Sequence, residues 1–378
     1  MIEIGRKVMN SNQALFICNE KFLNSNSNEG GVKFCTNEYI TLLSTKFNLL
    51  YLPVTYSKSF FYKLSKKLAI SSYNDYDVNS FKETIVKIIN ENKIQFIFLN
   101  LTNTTVFAKL IKDIDNNVKV ILCSHGNESG DYLHELVKHQ KYNGIKKIFA
   151  TFSLGKMLEM EATLRTEIDL VLTVSDVEVG IEKWLGATKV FMVPRYIDKM
   201  QIPYNPVLGK VGFFSDLSHE PNYYGILQVC ECLQKNNCSN IQLQLAGAGK
   251  ERGENLEQRF KFVKYLGYLS NENLLAEFST WTFALNPVFY YSRGVSTKLG
   301  KSLSYGMPVI TSEIGLRGYL WKEGNIPTCS GAEEMANLIS DLAYNIDACK
   351  KYKEEVIKIQ NTAPTYTDIM DKVHSFLQ

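Results

Sequence analysis

No run of the 378-residue sequence is apolar and long enough to cross a bilayer as a helix. The opening residues, Met1-Ile2-Glu3-Ile4-Gly5-Arg6-Lys7, also lack the basic, apolar, then small-residue order of a signal peptide. A membrane-spanning or exported chain is therefore not expected. Charge of one sign is equally scarce: the formal net charge is +3, and no Lys/Arg cluster interleaved with stacking aromatics spans a strand pattern. Nucleic acid is not an expected partner. The eight cysteines (Cys18, Cys35, Cys123, Cys230, Cys232, Cys238, Cys329, Cys349) contain no Cys-x-x-Cys pair matched by a second pair or by two histidines, so structural zinc is not expected. Cys18 and Cys123 instead end apolar runs, where a thiol behaves as a small hydrophobe, and a reducing cytoplasm is the expected compartment. Short internal repeats and low-complexity tracts are absent as well.

What is present is ordinary globular material, 45% hydrophobic and 21% charged. The length exceeds what one core usually supports, which favours two domains. Short β-rich runs at Ala14–Cys18, Asn48–Leu52, Ile94–Leu99, Val118–Cys123, Asp169–Val174 and Lys189–Val193 alternate with helical patterns at Val32–Thr45, Ser80–Ile89, Thr105–Ile114 and Val177–Leu185. Such alternation implies a parallel sheet with crossover helices. Two prolines in the polar stretch 201–206 mark a linker. The alternation then restarts, with strands at Lys210–Phe214, Ile241–Ala246, Phe262–Leu266, Thr282–Asn286 and Pro308–Thr311 and helices at Tyr223–Gln234, Asn273–Phe278 and Thr297–Tyr305. The expected fold class is α/β: two facing Rossmann-like doubly wound parallel-sheet domains, residues 1–200 and 201–364, with a cleft between them. The helix at 365–378 either closes the second domain or crosses back over the first. Open α/β sheets bind ligands beyond the carboxyl ends of their strands, so the chemistry is expected in the cleft.

The most informative stretch runs from Asn286 to Leu316. Its loop Tyr291-Ser292-Arg293-Gly294-Val295-Ser296-Thr297-Lys298 opens a helix. A loop with a glycine and two hydroxyls at a helix start offers free N–H groups and the positive end of the dipole, which suits a diphosphate. Arg293 and Lys298 would add charge-assisted bonds. The plain alternative is a capped surface helix with solvated basic residues. His125, after the strand Val118–Cys123, is open between a sugar or proton-handling role and simple packing. Glu128 and Asp131 either position acceptor hydroxyls or start the next helix as favourable first-turn acids. Gly30-Gly31 reads as a turn or as a hinge that lets backbone approach a ligand.

The stretch Gly294-Val295-Ser296-Thr297-Lys298, followed by Ser302-Leu303-Ser304-Tyr305-Gly306-Met307-Pro308-Val309-Ile310-Thr311, resembles the donor-site signature of the retaining group 1 glycosyltransferases of GT-B fold. Further resemblances lie at Val211–Leu217 with Glu220-Pro221-Asn222, at Leu245-Ala246-Gly247-Ala248-Gly249, at Tyr265–Ser270, and at Asp169–Ser175 with Lys189–Pro194 and Asp198. The resemblance implies a nucleotide-sugar donor, used as substrate with no resident cofactor, and a glycan or lipid-linked acceptor. No metal is expected, because a basic, N–H-lined site can hold the diphosphate and an Asp-x-Asp motif for a metal-bound donor is not expected. It implies catalytic roles for His125, Arg293 and Lys298. Donor contacts are implied for Gly30, Gly31, Gly247, Gly249, Gly294, Ser296, Thr297, Lys301, Glu313 and Gly315.

Two features depart from the family pattern. Many members carry two glutamates with seven residues between them; the matching positions here are Arg293 and Lys301. An ammonium can only donate to a ribose hydroxyl, so another acceptor such as Glu313 is needed there. The loop Ser215–Asn222 also lacks the family's Arg/Lys pair, which shifts diphosphate charge to Arg293, Lys298 and the candidates Lys250 and Arg252. These departures motivate an alternative: a non-catalytic GT-B-fold protein that binds glycan or nucleotide. Finally, 58–70 holds four lysines and no acid, with Phe60, Phe61, Leu64 and Leu68 on one side at helical spacing. It either packs on the first domain or rests on anionic lipid at the inner face of the membrane.

Overall fold

The computed structural model describes residues 12–23, 31–60, 64, 76–137, 142–238, 240–290 and 293–377. The chain divides into two compact units, Met1–Val193 with Thr365–Gln378, and Pro194–Pro364.

In the first unit β1 (Asn12–Asn19) leads through α1 (Glu20–Leu23) and α2 (Gly31–Leu43) to β2 (Phe47–Val54). There follow α3 (Lys82–Asn92), β3 (Phe96–Asn100), a 3₁₀ turn at Thr102–Val106, α4 (Phe107–Ile114) and β4 (Lys119–Cys123). The unit continues with α5 (Glu128–Val137), α6 (Ile145–Arg165), β5 (Leu170–Thr173), α7 (Asp176–Trp184) and β6 (Val190–Met192). All neighbouring strands pair in parallel, in the order β2-β1-β3-β4-β5-β6. Ala14 to Cys18 are wholly buried, because helices cover both faces of such a sheet; this is why β1 reads as an unbroken apolar run.

The second unit holds β7 (Lys210–Phe214), α8 (Glu220–Lys235), β8 (Gln242–Ala246), α9 (Lys250–Arg259), β9 (Val263–Gly267) and α10 (Asn271–Phe278). Then come β10 (Ala284–Asn286), α11 (Thr297–Ser304), β11 (Val309–Ser312), β12 (Thr328–Cys329), α12 (Ala332–Leu342) and α13 (Ile346–Thr362). Its sheet is again parallel, in the order β12-β11-β10-β7-β8-β9. Alternate strand residues feed two cores: Val211, Phe213, Leu243, Leu245, Phe283 and Leu285 share one, and Phe214, Ala246, Ala284 and Val309 join Trp281 in the other. Trp281 is fully buried and donates its indole N–H to Gln244 Oε1 at 2.6 Å, so a large ring is buried without an unsatisfied donor. The last helix, α14 (Tyr366–Leu377), groups with the first unit, where the Phe376 ring meets that of Phe191 at 5.0 Å in a tilted contact and Asp371 pairs with Lys46 at 2.8 Å.

The helical patterns named from the sequence do not include α6, whose apolar spacing falls on its exposed face. Its buried positions Ala150, Met157, Glu161 and Arg165 include two charges, while Ile145, Ile148, Phe149 and Phe152 face solvent. Of the segment 58–70, only residues 58–60 and 64 are among those described.

Candidate functional site

The strand order of the second sheet reverses between β7 and β10, so the loops leaving the carboxyl ends of these two strands flank a topological switch point. Both loops are tied together there. Lys298, in the first turn of α11, donates from Nζ to Asn222 Oδ1 at 2.7 Å, and Asn222 lies in the first turn of α8. The Lys298 ammonium also stands 5.9 Å from the Phe213 ring. By accessible surface Lys298 is only half-buried, yet its surroundings are crowded with protein atoms. Desolvation, with the nearby Arg317 guanidinium as a second cause, brings its ammonium down to about 8.

The loop before α11 is held from below by Asn286, the last residue of β10. Ser296 Oγ donates to Asn286 Oδ1 at 2.7 Å, and Asn286 Nδ2 donates to Thr311 Oγ1 at 2.9 Å. Ser296 occupies the N-cap position, but its hydroxyl is spent on Asn286 and makes no capping bond. The first N–H groups of α11 are thus not covered by the usual cap oxygen. Arg317 Nε donates to Gly294 O at 2.9 Å, and Tyr319 OH donates to Ser296 O at 2.7 Å. Gly294 has φ +76°, a left-handed turn that reverses the chain into the helix. Gly315 packs so closely under this loop that a Cβ there would stand 2.5 Å from Asn286 Nδ2 and 2.6 Å from Thr311 Oγ1.

Gly294, Ser296, Thr297, Lys298 and Gly315 are therefore brought together around one helix start. Arg293 is half-buried in the same loop. Lys301 sits one turn along α11, half-buried, with its ammonium 5.8 Å from the Tyr305 ring. Glu313 is exposed just after β11. Arg317 and Tyr319 lie outside the motifs named from the sequence, while Asn286 and Asn222 stand at motif ends that carried no role for them. The only sequence signal for Asn286 was a lone Asn at a strand's carboxyl end.

The Gly247–Gly249 turn after β8 lies against the loop after β7. Leu217 N donates to Ala248 O at 2.9 Å, and a Cβ at Gly247 (φ +138°) would be driven into the Ser215 carbonyl. Arg252 is committed to this arrangement: it donates to Leu217 O at 3.1 Å and to Glu220 Oε1 at 2.8 Å, and lies 4.6 Å from the Tyr223 ring. Lys250 is exposed and lies 3.6 Å from Glu254. Of the two cations put forward to replace the missing basic pair, one is occupied by loop carbonyls and the other sits at the surface.

In the first unit a second set of polar side chains gathers at the carboxyl ends of β3 and β4. His125 Nε2 meets Asn100 Oδ1 at 2.9 Å, and Asn100 Nδ2 donates to Thr36 Oγ1 at 3.0 Å. The His125 ring is 5.6 Å from Tyr39, whose hydroxyl bonds Ser124 O at 2.9 Å. Behind them Arg165 and Glu182 form a fully buried pair at 2.5 Å, and Arg165 also donates to Asn127 Oδ1 at 3.2 Å. Leu101, between β3 and its 3₁₀ turn, has φ +77°, a conformation rare outside glycine and costly for a branched side chain. Glu128 and Asp131 stand in the first turn of α5. Gly31 opens α2 with open space around its Cα, and Gly30 lies outside the described residues.

Among the described residues no group of three or more His, Cys, Asp or Glu side chains could hold a metal ion. The sequence does contain Asp-x-Asp at 75–77 and 113–115. Asp75 is outside the described residues; Asp113 pairs with Lys109 at 3.4 Å, and Asp115 accepts from Asn117 N at 2.9 Å.

Residues 209–345 match the model of the glycosyl transferases, group 1. Curated protein sequences offer no match. Among solved structures, sucrose-phosphate synthase from Thermosynechococcus elongatus is similar at a TM-score of 0.65 and 14% identity, covering 97% of this chain and 98% of the other. Anabaena HepE in complex with UDP-glucose aligns at a TM-score of 0.63 and 14% identity, over 97% and 99% of the two chains. The lipopolysaccharide outer core galactosyltransferase WaaB gives 0.59 at 12% identity, over 97% and 99%. At such identities the likeness establishes the fold, the two-domain α/β architecture of GT-B.

Proposed function

We propose, from the match of residues 209–345 to the group 1 glycosyltransferases, that the protein transfers a sugar from a nucleoside-diphosphate sugar to a hydroxyl of a glycan or lipid-linked acceptor. The carrying observation is the start of α11 at the β7/β10 switch point, where Ser296 is turned away from capping and Lys298 is held over the loop by Asn222. A diphosphate there meets uncapped N–H groups, the positive end of the helix dipole and the cations Arg293 and Lys298. The UDP-glucose carried by HepE is the kind of donor this reading requires.

In the proposed reaction the acceptor oxygen bonds to the anomeric carbon as the bond from that carbon to the diphosphate oxygen breaks. The acceptor proton passes to the leaving diphosphate, whose growing charge is stabilised by donors already in place. This route retains anomeric configuration and calls on no resident cofactor or metal. His125 is proposed to touch the sugar, with Asn100 holding its ring in place.

The test is thermal-shift screening with UDP-, GDP-, ADP- and dTDP-sugars. Stabilisation by one nucleotide series, lost in Lys298→Ala, supports the reading, and silence with all four defeats it. The alternative is a non-catalytic binder, favoured by Lys301 standing where the family carries a glutamate. Release of nucleoside diphosphate in the presence of acceptor separates the two.

A further inference from the structure

The first unit carries an apolar surface that the donor chemistry does not use. α6 buries one face through Ala150, Met157, Glu161 and Arg165. On its opposite face Ile145, Ile148, Phe149 and Phe152 recur at i, i+3, i+4 and i+7, and they are 72%, 69%, 57% and 53% exposed. Beside this stripe is an open hollow of about 530 Å³ lined by Ile148, Phe152 and Gly155. Tyr132 in the middle of α5 meets Tyr142, just before α6, at 6.2 Å, and Val137 at the end of α5 is 64% exposed.

Scattered exposed apolar residues are normal, but a continuous stripe opposite a helix's buried face is an interaction surface. Charge identifies the partner. Residues 136–158 contain five lysines (Lys138, Lys141, Lys146, Lys147 and Lys156) and no Asp or Glu. Lys146 and Lys147 are exposed in the first turn of α6. Just beyond, Glu159 continues the exposed face but is taken by Lys156 at 2.6 Å. A second copy of the chain, docked by two-fold symmetry on this stripe, would set Lys146 and Lys147 against their own counterparts, with that carboxylate already paired. An anionic bilayer answers both features, taking the rings and aliphatic groups into the headgroup boundary and the ammonium groups onto its phosphates.

We infer that the amino-terminal half of α6 docks the protein on anionic membrane through Ile145, Ile148, Phe149 and Phe152, with Lys146 and Lys147 on the headgroups. This surface is distinct from the lysine-rich segment 58–70, and its behaviour needs no sugar nucleotide.

The experiment is flotation of the full-length protein with vesicles of phosphatidylcholine alone and with about 30% phosphatidylglycerol, a fraction chosen to charge the surface. Wild type is expected to float with the anionic vesicles and to stay behind with the neutral ones. Phe149→Ser/Phe152→Ser is expected to lose flotation, and Lys146→Glu/Lys147→Glu to weaken it by about thirty-fold or more, the effect of two lysines at a leaflet surface. Both pairs are exposed, so thermal melting of each variant should match wild type. Flotation that survives both variants, or that is abolished only by Lys63→Glu/Lys66→Glu/Lys67→Glu, overturns the assignment. So does a wild type that never floats, or a concentration-dependent dimer in light scattering that Phe149→Ser/Phe152→Ser disperses.

Discussion

Asn222 Oδ1 accepts a hydrogen bond from Lys298 Nζ at 2.7 Å, and this contact joins the loops on either side of the point where the second sheet reverses its strand order. A lysine so placed is partly stripped of water before any ligand arrives. Its ammonium loses protons at about 8, below the ordinary range. Burial of the charged form is the main cause, and the Arg317 guanidinium adds to it.

That displacement has a measurable sign. A diphosphate beside Lys298 favours its charged form and raises its proton affinity, so donor binding takes up protons where the free site is part-deprotonated. At pH 8 calorimetry in buffers of different ionisation enthalpy should show proton uptake, which Lys298→Met removes. Affinity should be full below pH 8 and decline as pH rises through it. Uptake unchanged in Lys298→Met would mean that the diphosphate binds elsewhere.

Asn286 makes buried bonds to both Ser296 and Thr311, and replacing it with alanine leaves those hydroxyls poorly satisfied. Asn286→Ala should cost about 1–3 kcal/mol in the second unit, read as a lower denaturation midpoint. It should also weaken nucleotide binding, because the loop before α11 loses its anchor. A midpoint equal to wild type would show the anchor to be idle.

Gly247 and Gly31 differ in their surroundings. Gly247→Ala drives a methyl into the Ser215 carbonyl at φ +138°, and should destabilise by about 1–3 kcal/mol or more. Gly31→Ala meets nothing within 4 Å at the start of α2 and should leave stability within about 0.5 kcal/mol. Paired thermal melts of the two variants check the contrast.

Behind His125, Arg165 and Glu182 are both fully buried. Removing one partner strands the other charge, so Glu182→Ala should cost about 3–5 kcal/mol. Arg165→Met/Glu182→Leu, which removes both charges at similar volume, should recover most of that loss. A double variant no better than the single would mean that Asn127 and Ser124, rather than the ion pair, carry the stability of this corner.

Most strands were legible because parallel strands covered on both faces are continuous apolar runs; Lys210–Phe214 begins and ends where the pattern places it, whereas the two-residue β12 (Thr328–Cys329) is too short to show one. Helix α6 was not, since a buried Arg165 and Glu161 look like a solvated face until their partners Glu182 and Ser129 are seen. The same limit holds at the site. Gly294, Ser296 and Lys298 announce a loop at a helix start by local order alone, because backbone conformation and helix polarity are local properties. Asn222, Asn286, Arg317 and Tyr319 join them from 10 to 76 residues away for Asn286 and Asn222, and by a 23-residue separation for the other two. Local chemistry thus determined that a glycine and two hydroxyls open α11. Only the pairing of β7 beside β10 decided which distant side chains orient that loop and strip water from its lysine.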